Sequence, residues 1–297
     1  MLSRRANTGL AQTIVLFATI AAVMAPATYS KEQQDRPDGR DLVGSEQHLY
    51  RETDQGKLYL HVFSPDSKKF KGARPGLILF FGGGWKRGEP WQFGRHAKEL
   101  AEKGLVVILP DYRTKQRHGA TPRQAMNDAR AVVRWTREHA ADLNILPDRI
   151  AAGGGSAGGH LAAVTALIEP ASEDDVPDAL VLFNPVIDTS EKGYGASRLG
   201  RNSEAASPAH HVRENLPPTI IFHGDQDATV PHENVARFTK LMKEKHNSCT
   251  LHTYDGQGHS FYWREPFFTD TLDKTVAFFG DLAWIQDKGS VAETDCP

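Results

Sequence analysis

The sequence predicts an α/β fold in which a mostly parallel central sheet is covered by helices on both faces. Short, wholly apolar runs such as 77–81 and 105–109 are typical of strands buried on both faces of a parallel sheet. These runs alternate with amphipathic segments such as 121–141, whose apolar residues recur with the helical period. Because strands and helices alternate, we expect right-handed crossovers that place helices on both faces.

The predicted elements begin with an antiparallel hairpin, in which strands at 47–51 and 58–63 flank the turn Asp54-Gln55-Gly56. The helix at 95–103 ends at Gly104, since glycine readily adopts the left-handed conformation that closes a helix. Further strands are predicted at 77–81, 105–109, directly before Ser156, and at 179–183, 219–222 and 249–254. Further helices are predicted at 121–141, 161–168, 232–245 and 271–285. The apolar side of the helix at 121–141 consists of Ala125, Ala129, Val132, Val133 and Trp135.

The chain is predicted to have an export signal at residues 1–27. Two arginines precede a short apolar stretch, which ends at an Ala-Pro-Ala sequence typical of a cleavage site. We therefore expect a secreted or periplasmic protein whose mature chain begins near Thr28, with an uncleaved anchor as the alternative. The remaining parts are a loose N-terminal lead-in at 28–45, one domain at 46–287 and a C-terminal tail at 288–297.

Composition limits the classes of function. A formal net charge of -2 gives no electrostatic reason to expect nucleic acid as a partner. With 297 residues, the chain is long enough for one large domain with a substantial core. Cys249 and Cys296 either form one disulfide or remain thiols. The pair His210-His211 lacks a third metal ligand, so we expect no metal site there. We also expect no cofactor.

A glycine-rich stretch at 151–160 places Ser156 between an apolar run and a good helix former. Its central residues, Gly154-Gly155-Ser156-Ala157-Gly158, fit the G-x-S-x-G nucleophile elbow, in which small neighbours let the chain pass closely. The same stretch also fits the dinucleotide motif G-x-G-x-x-G. That motif normally opens the first βαβ unit, whereas several strands precede it here, so a nucleotide site is the weaker alternative.

The loops that follow the predicted strands carry a set of groups suited to acyl transfer. In an open parallel sheet, ligands bind beyond the carboxyl ends of the strands, where these loops meet. The hydroxyl of Ser156 needs a base, and the imidazole of His259 titrates in a suitable range. The histidine in turn needs a carboxylate to hold its tautomer, for which we select Asp227. Asp225, on the same loop, is the competing acid.

The tetrahedral oxyanion formed in acyl transfer requires preorganised N–H donors. The glycines at 82–84 follow a predicted strand and can present backbone N–H groups without steric obstruction. Ala157, the residue after the serine, adds a donor at the start of a helix. The chain order of serine, aspartate and histidine is that of the α/β-hydrolases.

Six motifs in this order resemble those of α/β-hydrolases of the esterase/lipase group. The chain is most similar to small secreted acetyl-esterase-like and feruloyl-esterase-like members, which are related to the hormone-sensitive-lipase branch. The resemblance covers roughly 58–279 and implies an α/β-hydrolase fold with the triad Ser156, Asp227 and His259. It also implies an oxyanion hole formed by the N–H groups of Gly83, Gly84 and Ala157. The motifs are Phe81-Gly82-Gly83-Gly84-Trp85, Asp111-Tyr112-Arg113, Pro147-Asp148-Arg149-Ile150, Gly154-Gly155-Ser156-Ala157-Gly158-Gly159-His160, His223-Gly224-Asp225-Gln226-Asp227-Ala228-Thr229-Val230-Pro231 and Gly258-His259-Ser260-Phe261.

One position departs from the family pattern, since Phe81 stands where a histidine usually precedes the three glycines. This departure concerns the bracing of the loop and its contact with the alcohol part of an ester. We predict that Phe81, Trp85 and Phe261 contact the substrate. The long interruption at 187–218 is too short for a large cap domain, and a loop of this length is usually functional.

The sequence thus predicts a secreted serine esterase with a minimal cap or none. Its expected substrates are short acyl esters, or acetyl and feruloyl esters linked to carbohydrate, and we expect no nucleic-acid partner and no stable membrane anchor. A peptidase of the prolyl-oligopeptidase-like group is one alternative, although such enzymes usually carry a large extra domain. A catalytically inactive recognition module on the same fold is the other.

Overall fold

The computed structural model describes residues 42–168 and 172–285, which fall within a unit spanning 35–297. In this described part, eight strands form one sheet in the order β1-β2-β4-β3-β5-β6-β7-β8. The first two pairings, β1 with β2 and β2 with β4, are antiparallel, and every other pairing is parallel. The strands are β1 (Glu46–Thr53), β2 (Gly56–Phe63), β3 (Arg74–Phe80), β4 (Val106–Pro110), β5 (Ile145–Gly155), β6 (Ala179–Phe183), β7 (Thr219–Gly224) and β8 (Cys249–Tyr254).

Helices connect the parallel strands and cover both faces of the sheet. This arrangement confirms the predicted α/β-hydrolase fold with its mostly parallel sheet. The α-helices are α1 (Gly94–Glu102), α2 (Lys115–His118), α3 (Pro122–Glu138), α4 (Ala157–Leu167), α5 (Ala196–Leu199), α6 (His232–Glu244) and α7 (Phe267–Asp281).

Alternate residues of the central strands divide the core into two layers. On β3, Ile78 and Phe80 pack on the face covered by α3, α4 and α6, whereas Leu77 and Leu79 pack on the face covered by α1 and α7. These side chains are fully or almost fully buried. Burial of each such side chain stabilises the fold by about 1.5–3 kcal/mol.

The long helix α3 begins where its sequence provides a cap. The Thr121 side chain accepts a hydrogen bond from Gln124 N, the Gln124 side chain accepts one from Thr121 N, and Pro122 occupies the first turn. Of the residues predicted to face the core, Trp135 is only half-buried, with its ring stacked on His139 at a centroid distance of 4.0 Å. Asp128 is fully buried on this helix, although an acidic side chain is rarely buried unless it is paired.

Asp128 is buried because two arginines satisfy its carboxylate. Arg113 Nη2 lies 2.7 Å from Asp128 Oδ1, and Arg51 Nη1 lies 2.9 Å from the same oxygen. Arg113 belongs to the motif after β4, whose tyrosine, Tyr112, donates a hydrogen bond to the carbonyl of Phe81 at 2.8 Å. The motif thereby ties the end of β4 to the loop that follows β3.

The segment at 187–218, between β6 and β7, contains the one-turn helix α5 and two short 3-10 turns. These described residues form no separate cap domain. His160 on α4 holds the segment close to the core, since its Nε2 lies 2.8 Å from the carbonyl of Ala206. The main body of the fold therefore includes the segment as a packed loop.

Several predictions lie outside the described residues. These are the export signal at 1–27, the lead-in up to residue 41, the tail at 288–297 and any role of Cys296. Cys249 is a buried thiol whose pKa burial raises to about 11. None of the described helices is both long and apolar enough to cross a membrane.

Candidate active site

Ser156 lies between β5 and α4 in a backbone conformation that is rare for any residue with a side chain. Its φ is 54° and its ψ is -117°. Hydrogen bonds hold this turn from both sides: Ser156 N donates to Phe183 O at 3.0 Å, and Ser156 O accepts from Val186 N at 3.1 Å. This strained strand-to-helix turn is the geometry of a nucleophile elbow.

The glycines around Ser156 make room for other parts of the protein. A Cβ on Gly154 would lie 2.3 Å from the carbonyl oxygen of Phe80, and one on Gly158 would lie 2.0 Å from the same atom. A Cβ on Gly155 would lie 2.1 Å from the hydroxyl of Tyr262. Close packing of β3 and Tyr262 accounts for the glycines, which favours the elbow over the nucleotide motif.

Asp227 and His259 meet at the carboxyl ends of β7 and β8. His259 Nδ1 donates a hydrogen bond to Asp227 Oδ2 at 2.7 Å, and the His259 side chain is 21% exposed. The other carboxylate oxygen accepts hydrogen bonds from the N–H groups of Thr229 at 2.8 Å and Val230 at 2.9 Å. Burial by itself would raise the pKa of Asp227, but His259 and these N–H groups outweigh it and lower that pKa. Asp227 is therefore an ionised partner for His259 at neutral pH.

The competing acid, Asp225, has a different role. Its Oδ1 accepts a hydrogen bond from Gly256 N at 2.8 Å, so it braces the turn after β8. His223 supports the loop of Asp227 from inside, because its Nε2 donates to Val230 O at 2.9 Å. Burial lowers the pKa of His223 to about 4, so its ring is neutral in the folded protein.

The glycine loop after β3 is held by hydrogen bonds to its carbonyl groups. Gly82 O accepts from Gln92 Nε2 at 3.4 Å, and Gly82 N donates to Gln92 Oε1 at 3.0 Å. Gly83 O accepts from Lys86 N at 3.2 Å and from Arg87 N at 3.3 Å. In a trans peptide the C=O and N–H groups point in opposite directions. The N–H groups of Gly83 and Gly84 therefore point away from these partners.

The three predicted oxyanion donors share one property. Within residues 42–168 and 172–285, no protein acceptor takes a hydrogen bond from the N–H of Gly83, Gly84 or Ala157. Gly82 connects this loop to the elbow, since a Cβ on Gly82 would lie 3.4 Å from the Cβ of Ser156. The glycine loop thus lies beside the serine with donors available for a ligand.

The aromatic residues predicted to contact the substrate lie in the packed interior. Phe81 and Phe261 are fully buried, and Trp85 is 1% exposed. The Phe81 ring stacks on Tyr112 at a centroid distance of 3.9 Å, and Trp85 packs edge-on against His160 at 4.9 Å. These side chains support the site loops from behind, so the prediction that they contact substrate is corrected.

Two residues that sequence reasoning did not select connect the parts of the site. Gln92 holds Gly82 at both its N–H and its C=O, and so braces the loop that lacks the usual histidine. Asn184 is fully buried after β6, and its Oδ1 accepts a hydrogen bond from Ser260 N at 2.9 Å. The only sequence signal for Asn184 is its place directly after a buried strand, and Gln92 carries none.

Potential metal ligands are dispersed. Among the described residues, no three or more His, Cys, Asp or Glu side chains form a group able to hold a metal ion. His210 Nε2 lies 3.7 Å from Glu204, whereas His211 Nε2 lies 3.0 Å from the carbonyl of Ala205. These two histidines therefore have separate contacts on the loop.

A family model described as BD-FAE matches residues 60–198 and 193–242, which is more than half of the chain. The chain belongs to the BD-FAE family. This assignment agrees with the predicted resemblance to feruloyl-esterase-like members.

Curated relatives of this BD-FAE protein bear esterase names. The probable carboxylic ester hydrolase LipM from Mycobacterium tuberculosis is 27% identical over 215 residues, which is 63% of this chain and 49% of LipM. An acetylxylan esterase from Xylanibacter ruminicola is 26% identical over 226 residues, covering 70% of this chain and 45% of that protein. The chain thus spans about half the length of the curated relatives it matches.

The similarity to solved structures covers more of this chain than the similarity to these two curated relatives. The thermophilic esterase Est2 from Thermogutta terrifontis is 36% identical, with a TM-score of 0.78, and the match covers 84% of this chain and 96% of Est2. Another structure of that esterase is described as phosphoramylated by tabun. The BD-FAE chain therefore has the fold of known esterases.

Proposed function

We propose that this protein is a serine esterase that hydrolyses carboxylic esters through an acyl-serine intermediate. The observation that carries the proposal is the 2.7 Å hydrogen bond between His259 and Asp227, at the sheet edge where Ser156 occupies its strained turn. The esterase names of its curated and structural relatives support the same reaction class.

In the proposed mechanism, Ser156 Oγ attacks the ester carbonyl while His259 accepts its proton. Because His259 Nδ1 donates to Asp227, the other ring nitrogen, Nε2, is the base. His259 then returns the proton to the departing alcohol, which leaves an acyl group on Ser156. Water, activated by the same histidine, releases the acid and restores the serine.

The negative charge of the tetrahedral intermediate is assigned to the N–H groups of Gly83, Gly84 and Ala157. Their alignment before the reaction costs nothing at the transition state, because the loop carbonyls are already hydrogen-bonded elsewhere. One such donor contributes about 3 kcal/mol to lowering the barrier.

The decisive experiment is hydrolysis of a chromogenic acetyl ester by Ser156→Ala. We expect kcat/KM to fall by several orders of magnitude, because the nucleophile is removed. Ser64→Ala, at an exposed position, is the matched control and should retain wild-type activity. Unchanged hydrolysis by Ser156→Ala would refute the proposal.

Two further measurements separate the alternatives. A fluorophosphonate probe should label the wild-type protein and not Ser156→Ala, and absence of labelling would favour an inactive recognition module. Faster cleavage of an aminoacyl-anilide than of acetyl esters would favour a peptidase.

We also propose that the protein is secreted or periplasmic and acts on short acyl esters or carbohydrate-linked esters. The predicted export signal supports the location, and the name of one relative, acetylxylan esterase, supports the substrate class. N-terminal sequencing of the exported protein should begin near Thr28. A chain that still begins at Met1 would contradict cleavage.

A further inference from the structure

A guanidinium group from the segment at 187–218 lies on the glycine loop. Arg198 Nη1 donates hydrogen bonds to Gly84 O at 3.2 Å and to the hydroxyl of Tyr194 at 2.7 Å. Its guanidinium carbon lies 4.9 Å from the centre of the Tyr194 ring. A Cβ on Gly84 would lie 2.3 Å from Arg198 Nη1, so the cation passes directly over this residue of the predicted oxyanion hole.

This half-buried cation is not neutralised by the protein in the part of the chain that the structure describes. The segment's own carboxylates form no ion pair with Arg198, and the most buried of them, Asp188, is paired with Arg237. The carboxylate of Asp111, at the end of β4, is paired with Arg117, whose Nη1 lies 2.8 Å from Asp111 Oδ1. Partial burial of an unpaired charge is unfavourable, so Arg198 has more to gain from an incoming anion than a fully solvated arginine.

Three exposed cations lie on or next to the same loop. Lys86 and Arg87 directly follow Trp85 along the chain. Lys115 N donates to Trp85 O at 3.1 Å, so Lys115 lies beside them. No ion pair involves these three side chains within the described ranges. The nearby carboxylate of Glu89 accepts a hydrogen bond from the Trp91 indole and interacts electrostatically with Arg117. We call Lys86, Arg87, Lys115 and Arg198 the cationic rim.

We propose that the cationic rim binds a carboxylate carried by the ester substrate. The enzyme then prefers anionic esters, such as esters on acidic carbohydrates that contain uronic acids, over neutral esters of similar size. Arg198 makes the direct charge-assisted hydrogen bond, and the exposed cations attract the anion over a distance of about one Debye length. The inference rests on the proposed esterase function and names the substrate class for the same site.

The test compares kcat/KM for matched anionic and neutral esters. One arm places the carboxylate in the leaving alcohol, with p-acetoxybenzoate against p-acetoxybenzamide. The other places it in the acyl group, with p-nitrophenyl hemisuccinate against p-nitrophenyl pentanoate. The arm that shows the preference identifies which part of the ester faces the rim.

We expect Arg198→Gln to lower the anionic-to-neutral ratio of kcat/KM by about tenfold, as expected for loss of one charge-assisted hydrogen bond. Arg198→Lys keeps the charge and should retain part of the preference. Lys245→Gln is the control, because it removes the same charge at an exposed position between the end of α6 and the start of β8. It should leave the anionic-to-neutral ratio unchanged. Added salt should reduce the preference of the wild-type enzyme more than that of Arg198→Gln.

If the anionic-to-neutral ratio of kcat/KM for Arg198→Gln stays within twofold of the wild-type ratio in both arms, the inference is overturned. Ser156-dependent hydrolysis of the neutral ester would still support the proposed esterase function. If no ester is hydrolysed in a Ser156-dependent way, the proposed function fails instead. Binding then tests the rim: the Ser156→Ala protein should bind oligogalacturonate more tightly than neutral oligogalactose, and Arg198→Gln should abolish the difference. Equal binding of the two oligosaccharides would overturn the inference.

Discussion

The two sides of the candidate site are held in different ways. On the acid side, Asp227 is tied to its own loop by the N–H groups of Thr229 and Val230, and to His259 on the loop after the next strand. On the glycine side, Gly82 depends on the Gln92 side chain and Gly84 on Arg198, which lies 114 positions further along the chain.

Because of this difference, the acid side is easier to recognise from the sequence than the glycine side. The acid side combines a strand-end motif with local turn hydrogen bonds, so most of its geometry follows from neighbouring residues. The glycine side presents backbone donors, which no side chain identifies, and their orientation comes from long-range partners. Substitutions on the two sides should therefore have different kinetic effects.

The largest loss of activity should follow from Asp227→Asn, which changes the acid side of the site. An amide cannot hold His259 in the same tautomer or stabilise its protonated form, so we expect kcat/KM for an acetyl ester to fall about ten-thousand-fold. Asp225→Asn makes the same change two residues away, at a carboxylate that only braces Gly256. Its activity should stay within tenfold of wild type. Equal losses in the two variants would contradict the assignment of Asp227.

A smaller loss of activity should follow from Gln92→Leu, which removes the side chain that holds the glycine side of the site. Loss of both hydrogen bonds to Gly82 lets the Gly82–Gly83 peptide rotate, which misaligns an oxyanion donor. We expect kcat to fall about a hundredfold with little change in KM, since the donor acts on the transition state.

A trifluoromethyl ketone, which forms a tetrahedral adduct with serine, should lose affinity for Gln92→Leu in parallel with kcat. Gln116→Leu, at an exposed position next to the same loop, is the control and should leave both unchanged. A lower melting temperature with unaltered kcat would show that Gln92 only stabilises the fold.

The smallest effect concerns pH and the attachment of the segment at 187–218. Burial lowers the pKa of His160 to about 4, below its ordinary value of about 6.5. Between these values the unfolded chain binds a proton that the folded chain does not, so stability is complete above about pH 6.5 and is lost as pH falls towards 4. At about pH 5 the loss from this one residue amounts to roughly 2 kcal/mol.

Urea unfolding of His160→Gln checks this prediction. The glutamine amide can still donate towards Ala206 O but does not titrate, so the variant should lose roughly 2 kcal/mol less than wild type between about pH 7 and about pH 5. His223 and His96, whose pKa values burial lowers to about 4 and about 3, keep titrating in both proteins. Identical pH dependence of the two proteins would contradict the role assigned to His160.

Aromatic residues near functional loops show one limit of sequence reasoning. Phe81, Trp85 and Phe261 were predicted to contact substrate because they neighbour the reacting groups. The structure instead buries all three. An apolar side chain beside a site can line either a pocket or the core, and its position in the chain is the same in both cases.

The amino-acid order is sufficient to predict the alternation of strands and helices, the elbow at Ser156 and the loops that carry Asp227 and His259. Periodicity and turn chemistry are local properties, and the order of strands in a parallel sheet places their loops at one edge. Gln92, Asn184 and Arg198 come to the site only through the tertiary structure. The packed loops also pair His259 with Asp227, the acid that the motif spacing favours over Asp225. These contacts join residues that are distant in the chain. Such hydrogen bonds form only where packing brings loops together, so they produce no periodic pattern in the sequence.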